Sequence, residues 1–217
     1  LDDLVRAGKV RYIGISDTPA WKVAQAQTQA YFRGWAPIIA LQIEYSLIER
    51  TVEGDLTPMA LELGLGVTPW SPLRGGVLSG KYTRQNQGQL KADRGERVTN
   101  FLTERTYTII DELIRIAGEL NSTAAAVALA WVQSRPSVAT TIIGARRLDQ
   151  LDQNLAALDI VLTDAHVAAL NTVSTPTLNF PAGFGPMAAM FGQGGTTING
   201  TPSRMWPLLP QSDAERY

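Results

Sequence analysis

The chain has 217 residues, a length that suits one domain with a substantial core. Apolar residues make up 45%, charged residues 18%, and the net charge is −1, so nothing argues for a nucleic-acid or membrane-binding surface. Cysteine is absent, which excludes disulfide, thiolate and zinc–cysteine chemistry, and no apolar run approaches the ~20 residues of a membrane span.

Leu1, Leu4 and Val5 have helical spacing, no capping residue precedes them, and Gly8 ends the helix. A chain that opens inside a helix suggests an upstream segment. A charged helix end is not a secretory signal, so a cytoplasmic location is expected. Residues 10–16 predict a strand and 19–33 a helix with Pro19 near its first turn. Residues 37–43 predict a second strand, apolar until Gln42; 55–63 a helix ended by Gly64; and 65–70 a third strand. A glycine-rich loop follows, then a polar stretch over 84–100. Residues 104–120 predict an amphipathic helix, and 123–134 an alanine-rich helix, apolar nearly all round and therefore buried. A fourth strand is expected over 138–143, and helices over 148–158 and 164–173. From Ser174 the chain reads as an irregular tail rich in Pro, Gly and Thr, so the expected division is 1–173 and 174–217.

Apolar strands alternating with helices imply parallel βαβ units with covered sheet faces. A doubly wound sheet and part of a (β/α)8 barrel both fit, although Ile13-Gly14-Ile15-Ser16-Asp17 lacks the G-x-G-x-x-G of the nucleotide-binding doubly wound fold. In either fold chemistry gathers at the C-terminal ends of the strands. The four ends here are Ser16-Asp17, Gln42-Ile43-Glu44-Tyr45, Trp70-Ser71-Pro72-Leu73 and Gly144-Ala145-Arg146-Arg147. They offer amide-binding side chains, a flat aromatic surface, a glycine loop and a guanidinium, a set suited to a ligand with a carboxamide, a planar ring and phosphates. Taken singly, Ser16 and Asp17 also fit as caps of the following helix, Gln42 as a satisfied strand-end group and Trp70 as core.

Gly75-Gly76-Val77-Leu78-Ser79-Gly80-Lys81-Tyr82 falls one residue short of a P-loop, because Tyr82 stands where a compact Ser or Thr hydroxyl would hold magnesium. The lone histidine, His166, is expected on the outer face of its helix with Ala165, Ala169 and Leu170 inward, which leaves a Ser-His-Asp triad without support. No His or carboxylate cluster has metal-ligand spacing, and Glu44, Asp55 and Asp93 form no convincing acid–base pair.

Four motifs in order resemble the aldo-keto reductase family. Asp3 to Asp17, containing Gly8-Lys9-Val10-Arg11-Tyr12-Ile13-Gly14-Ile15-Ser16-Asp17, is similar to the family's fifth strand and the helix before it. Leu41-Gln42-Ile43-Glu44-Tyr45 resembles the sixth strand and Pro69-Trp70-Ser71-Pro72-Leu73, with the loop to Tyr82, the seventh. Ile142-Ile143-Gly144-Ala145-Arg146-Arg147, with Gln150 and Asn154, resembles the eighth. The resemblance implies an α/β fold, the C-terminal half of a (β/α)8 TIM barrel with four parallel strands and flanking helices. It also implies NADPH-dependent reduction of an aldehyde or ketone to an alcohol. By resemblance, Ser16, Asp17 and Gln42 hold the nicotinamide carboxamide and Trp70, where the family more often has Tyr, stacks on the ring. Ser71, Leu73, Gly75 and Lys81 wrap the pyrophosphate. Gly144, Ala145, Arg146, Gln150 and Asn154 surround the adenosine 2′-phosphate and adenine. Lys in the eukaryotic pattern is replaced by Gly144, so the preference for NADP over NAD rests on Arg146, whose forked donors match phosphate oxygens.

The family's catalytic Asp, Tyr, Lys and His lie on earlier strands, and no residue here matches them, so a fragment with little turnover of its own is expected. Four strands cannot close the barrel, which predicts open edges, an exposed inner face and association with an upstream half or a second copy. The alternative is a non-catalytic nucleotide-binding or regulatory half-barrel. Residues 84–100 and the tail's Phe180, Phe184, Met187, Met190 and Phe191 are candidate contributors to a carbonyl pocket.

Overall fold

Short runs of β-branched and apolar residues become strands here, each followed by a helix that carries the chain back so that the next strand lies parallel. The structure is a computed structural model that describes residues 1–86, 96–198, 200–203, 212 and 214. Helix α1 (Asp2–Arg6), β1 (Ile13–Ser16), α2 (Ala20–Arg33), β2 (Ile38–Glu44), α3 (Leu56–Glu62) and β3 (Gly66–Trp70) alternate in sequence. The sheet order is β1-β2-β3, and both pairs are parallel.

Polar side chains set the angles at which helices meet strands. The Gln27 amide pairs with both backbone groups of Ile38, donating to its carbonyl at 3.2 Å and accepting from its N–H at 2.9 Å, which fixes α2 over the start of β2. Asp2 accepts from the Ala36 N–H at 2.8 Å, and the Arg6 guanidinium donates to the Gly34 carbonyl at 3.0 Å, so α1 is tied to the turn between α2 and β2.

The two sheet faces differ in kind. Ile13, Ile15, Leu41, Ile43 and Val67 pack into the core. The register aligns Gly14, Ala40 and Gly66 across the other face, then Ser16, Gln42 and Thr68, with Glu44 beside Trp70 above them. Gly14, Ser16 and Gln42 are exposed, so among the described residues one face of the sheet is covered and the other is open.

The expected fourth strand is the first correction. Residues 138–143 run along β3, with Ala139 donating to Val67 O and Ile142 to Pro69 O, each at 2.9 Å. Among the described residues of this segment only Val138 forms a parallel bridge, with Val67, and the sheet described has the three regular strands β1-β2-β3. The reason lies in β3. Val67 exchanges bonds with Ser137 and Ala139, but Pro69, the next residue facing that edge, has no N–H to continue the ladder.

Helices α4 (Glu96–Thr99), α5 (Glu104–Glu119), α6 (Ala124–Gln133), α7 (Leu148–Leu155) and α8 (Asp164–Val173) complete the first of two compact units, Leu1–Pro176. Of the polar stretch over 84–100, residues 87–95, including Asp93, lie outside the described residues. Thr103 and Thr123 cap α5 and α6 by accepting from the N–H groups of Thr106 and Ala126. Helix α6 is buried from Ala124 through Val132, as its all-round apolarity demands. Its Trp131 sits between the guanidinium groups of Arg50, 4.9 Å from the ring centroid, and Arg135, 4.7 Å from it, and donates to Asn171 Oδ1 at 3.2 Å.

His166 is the second correction. Its side chain is only 14% exposed: Nδ1 accepts from the Thr163 N–H in a capping box at the start of α8, and Nε2 meets Glu119 at 3.2 Å. Leu170 is buried as expected, but Ala165 is exposed, because the helix presents the His166 face to α5. The expected irregular tail is the third. The second unit, Thr177–Tyr217, contains helix α9 (Gly185–Gln193) and a hairpin of β4 (Thr197–Ile198) and β5 (Thr201–Pro202). Phe184 lies 6.1 Å from Phe180 and 6.2 Å from Phe191, centroid to centroid. Asn199, residues 204–211 and 213, and residues 215–217 are outside the described residues.

Candidate functional site

The parallel arrangement delivers the ends of β1, β2 and β3 to one rim. Asp17 follows β1 directly, with φ of 47°, a conformation that costs a non-glycine residue energy, and its N–H donates to Gln42 O at 3.1 Å. This backbone turn aims the Asp17 carboxylate across the rim, where it accepts from Trp70 Nε1 at 3.0 Å. Neither Ser16 nor Asp17 caps α2, whose N-cap is Pro19 with no side-chain bond. Gln42 is exposed on the open sheet face, and Trp70 is half-buried at the rim rather than in the core.

After Trp70 the chain makes a tight left-handed course. Ser71 (φ 53°), Arg74 (φ 47°), Gly75 (φ 66°), Gly76 (φ 95°) and Gly80 (φ 82°) all occupy the left-handed region, which glycine enters freely. The Leu73 carbonyl accepts from Gly76 N and Leu78 N, and Ser79 Oγ donates to Gly76 O, so Arg74–Ser79 is two short turns that meet in a kink at Gly75 and Gly76. Tyr82, which breaks the P-loop pattern, is 4% exposed and belongs to the core, with the Lys81 ammonium 4.9 Å from its ring centroid.

The opposite wall is the turn over residues 144–147. Its shape is held from α7: Gln150 Oε1 accepts from the Arg146 N–H at 3.1 Å, and Asn154 Nδ2 donates to Gly144 O at 3.5 Å. Gln150 and Asn154 therefore brace the turn's backbone, and Asn154 is buried. Arg147 donates to both carboxylate oxygens of Asp149, at 2.9 and 3.0 Å, and this pairing holds the Asp149 carboxyl below its ordinary pKa.

Between the walls lies a cleft of about 830 Å³. Trp70, Ser71, Leu73, Gly75 and Lys81 line it on one side, and Gly144, Ala145, Arg146, Gln150 and Asn154 on the other. Ser16, Asp17 and Gln42 stand outside it at the neighbouring strand tips, joined to it through the Asp17–Trp70 bond. Pro72, Gly76, Ser79, Ile142, Ile143 and Arg147 also line the cleft, from within the quoted motifs but not singled out as site residues, and sequence reasoning missed Ala125 and Gln153 altogether. Ala125 arrives from the first turn of α6, because a Cβ on Gly80 would lie 3.0 Å from Ala124 Cβ: only glycine lets loop and helix approach so closely. No local pattern announces that contact. The cleft thus offers an indole, a glycine backbone and the cationic side chains Lys81, Arg146 and Arg147, a set able to hold a planar ring and phosphate oxygens. Among the described residues no group of three or more His, Asp or Glu side chains could hold a metal ion, and no single helix is long and apolar enough to cross a membrane.

Comparison with known proteins adds an independent line. A family model, described as the aldo/keto reductase family, matches residues 1–175. The chain is 38% identical over 169 residues to the uncharacterized oxidoreductase YrpG of Bacillus subtilis (strain 168), covering 78% of this chain and 50% of that protein. It is 30% identical over 187 residues to the NADP(+) aryl-alcohol dehydrogenase of Phanerodontia chrysosporium, covering 83% and 48%. It is 34% identical over 162 residues to the probable voltage-gated potassium channel subunit beta of Oryza sativa subsp. japonica, covering 71% and 48%. The chain spans about half the length of these curated relatives.

Proposed function

The chain belongs to the aldo/keto reductase family, and on that premise we propose that it is the cofactor-holding part of an oxidoreductase that reduces an aldehyde or ketone with NADPH. The observation that carries this reading is that one cleft is lined by both Trp70 and Arg146. The residues present fit a phosphorylated dinucleotide: an indole for a planar ring, left-handed glycine backbone for close approach to phosphate, and the Arg146 guanidinium for a terminal phosphate.

In this reading Ser16, Asp17 and Gln42 hold the carboxamide, and Trp70 supports the nicotinamide ring. Asp17 has a second task, since its carboxylate fixes the plane of the indole. Ser71, Leu73, Gly75 and Lys81 contain the pyrophosphate. Gly144, Ala145 and Arg146 meet the adenosine end, where the Arg146 fork favours a 2′-phosphate and therefore NADP over NAD. Gln150 and Asn154 act one step back, through the backbone bonds that shape the turn. When bound, the cofactor would supply a hydride to the carbonyl carbon, and these residues would restrict it to one orientation. The matching proton for the carbonyl oxygen needs a positioned acid. We place that acid in the part of the protein outside these residues, along with the rest of a (β/α)8 barrel that would cover the open sheet face. A small carbonyl substrate, a cytoplasmic setting, and no nucleic-acid or membrane partner complete the proposal.

Titration with NADPH, followed by tryptophan fluorescence, tests it. Saturable quenching is expected, weakened roughly ten-fold or more in Arg146→Ala, the loss of a charge-assisted phosphate contact. Quenching that never saturates, or that Arg146→Ala leaves unchanged, overturns the assignment. The likeness to the channel subunit beta favours a second reading, a nucleotide-binding protein with a regulatory task. Binding of NADPH without turnover of any aldehyde or ketone by the full-length protein would select it.

A further inference from the structure

One ion pair at the rim lies outside the cleft and yet bears on its shape. Glu44 is the last residue of β2 and stands beside Trp70 in the sheet register. Its carboxylate pairs with the guanidinium of Arg74, and the two side chains are only 23% and 15% exposed, so solvent screens the pair weakly. The same guanidinium lies over the Phe101 ring, 4.1 Å from its centroid. Arg74 is also the first of three successive left-handed residues, followed by Gly75 and Gly76. Glycine accepts that backbone freely; arginine does so only where its surroundings over-determine it. Leu73, Gly75 and Gly76 face the cleft, whereas Arg74 between them turns away to Glu44 and Phe101. Its Nε is buried without a hydrogen-bond partner, so charge pairing and ring stacking hold the side chain at the expense of one donor.

We propose that Glu44 and Arg74 are positioning residues: together with Phe101 they latch the loop over residues 71–80 to the tip of β2 and thereby set which backbone groups the loop turns into the cleft. The latch concerns the loop itself. Its consequence for NADPH affinity rests on the cofactor reading above.

The two are separable by experiment in the full-length protein. Amide hydrogen exchange over residues 73–80 is expected to quicken about ten-fold in Glu44→Gln and in Arg74→Met, with the double variant no faster than either single one, since both break one interaction. Arg74→Lys, which keeps the charge, restores part of the protection. Arg74→Gly is decisive: it relieves the left-handed backbone and removes the guanidinium, and it is expected to behave like Arg74→Met. The KM for NADPH should rise in the same order, by more than kcat falls. Parent-like exchange in Arg74→Gly, or in both Glu44→Gln and Arg74→Met, overturns the latch. Quickened exchange in a protein whose parent form binds no NADPH would leave the latch standing and remove the cofactor reading.

Discussion

Asp17 is a polar residue at a strand end that does something its neighbours in sequence do not reveal. Its carboxylate is spent on the Trp70 indole 53 positions away. Asp17→Ala should therefore free the indole, alter tryptophan emission in the unliganded protein and weaken NADPH several-fold, while Asp17→Asn, which keeps an acceptor oxygen, should be milder. Equal effects of the two variants would show that the indole bond is idle. Tyr45 makes a different kind of prediction. Burial, then the hydrogen bond its hydroxyl donates to Glu53 at 2.7 Å, raises the phenol's pKa above its ordinary value. A raised folded-state value means the native form keeps its proton longer than the unfolded chain does. The stabilisation is fully present below the ordinary phenol pKa of about 10 and is lost as pH rises through the folded value. Tyr45→Phe should flatten that alkaline loss, measured as unfolding midpoints from pH 9 upward. At the acid end, Asp2 has a lowered pKa because it accepts from the Ala36 N–H and pairs with Arg6, so its contribution is present above the ordinary carboxylate range and fades as pH falls.

At the scale of elements, close approach decides more than propensity does. Gly66 opens β3 where a Cβ would lie 3.0 Å from Ala139 Cβ. Gly66→Ala should push the segment at 138–143 off β3 and destabilise the protein by about 1–3 kcal/mol in denaturant unfolding, the usual cost of overpacking. Helix α6 is the inner post of the structure: Trp131 is fully buried and held by Asn171, Arg50 and Arg135. Trp131→Ala should cost ~3–5 kcal/mol. Thr123→Ala, which removes only the cap, should cost ~1 kcal/mol. Arg135 pays for its place beside Trp131 with a pKa lowered by burial. The strand expected over 138–143 was not legible as irregular, because its own residues favour β structure. The obstacle is Pro69 on the adjacent strand, and a proline acts on whichever neighbour needs its missing N–H.

Across the first unit, the open sheet face and an exposed stripe on α7 have the same implication. Leu148, Leu151 and Leu155 recur at helical spacing, continued by Leu158, and Leu148 and Leu158 are 73% and 74% exposed. Monomeric soluble proteins seldom expose such runs together with an uncovered parallel sheet. The 217-residue chain expressed alone should therefore associate in sedimentation velocity and bind an apolar dye. A single sharp monomer boundary for the isolated chain would contradict the half-barrel proposal.

Periodicity and turn chemistry are local, and so the sequence by itself determined the alternation from α1 to β3, helices α5 to α8, the burial of α6 and the residues delivered to the tips of β1, β2 and β3. Side-chain partners are not local. The Asp17–Trp70 and Glu44–Arg74 pairs, the contact of His166 with Glu119 and the meeting of Gly80 with α6 came only from the tertiary structure. A polar residue's chemistry limits what it can bond, but which of several eligible groups it reaches depends on distances that arise when separate elements pack.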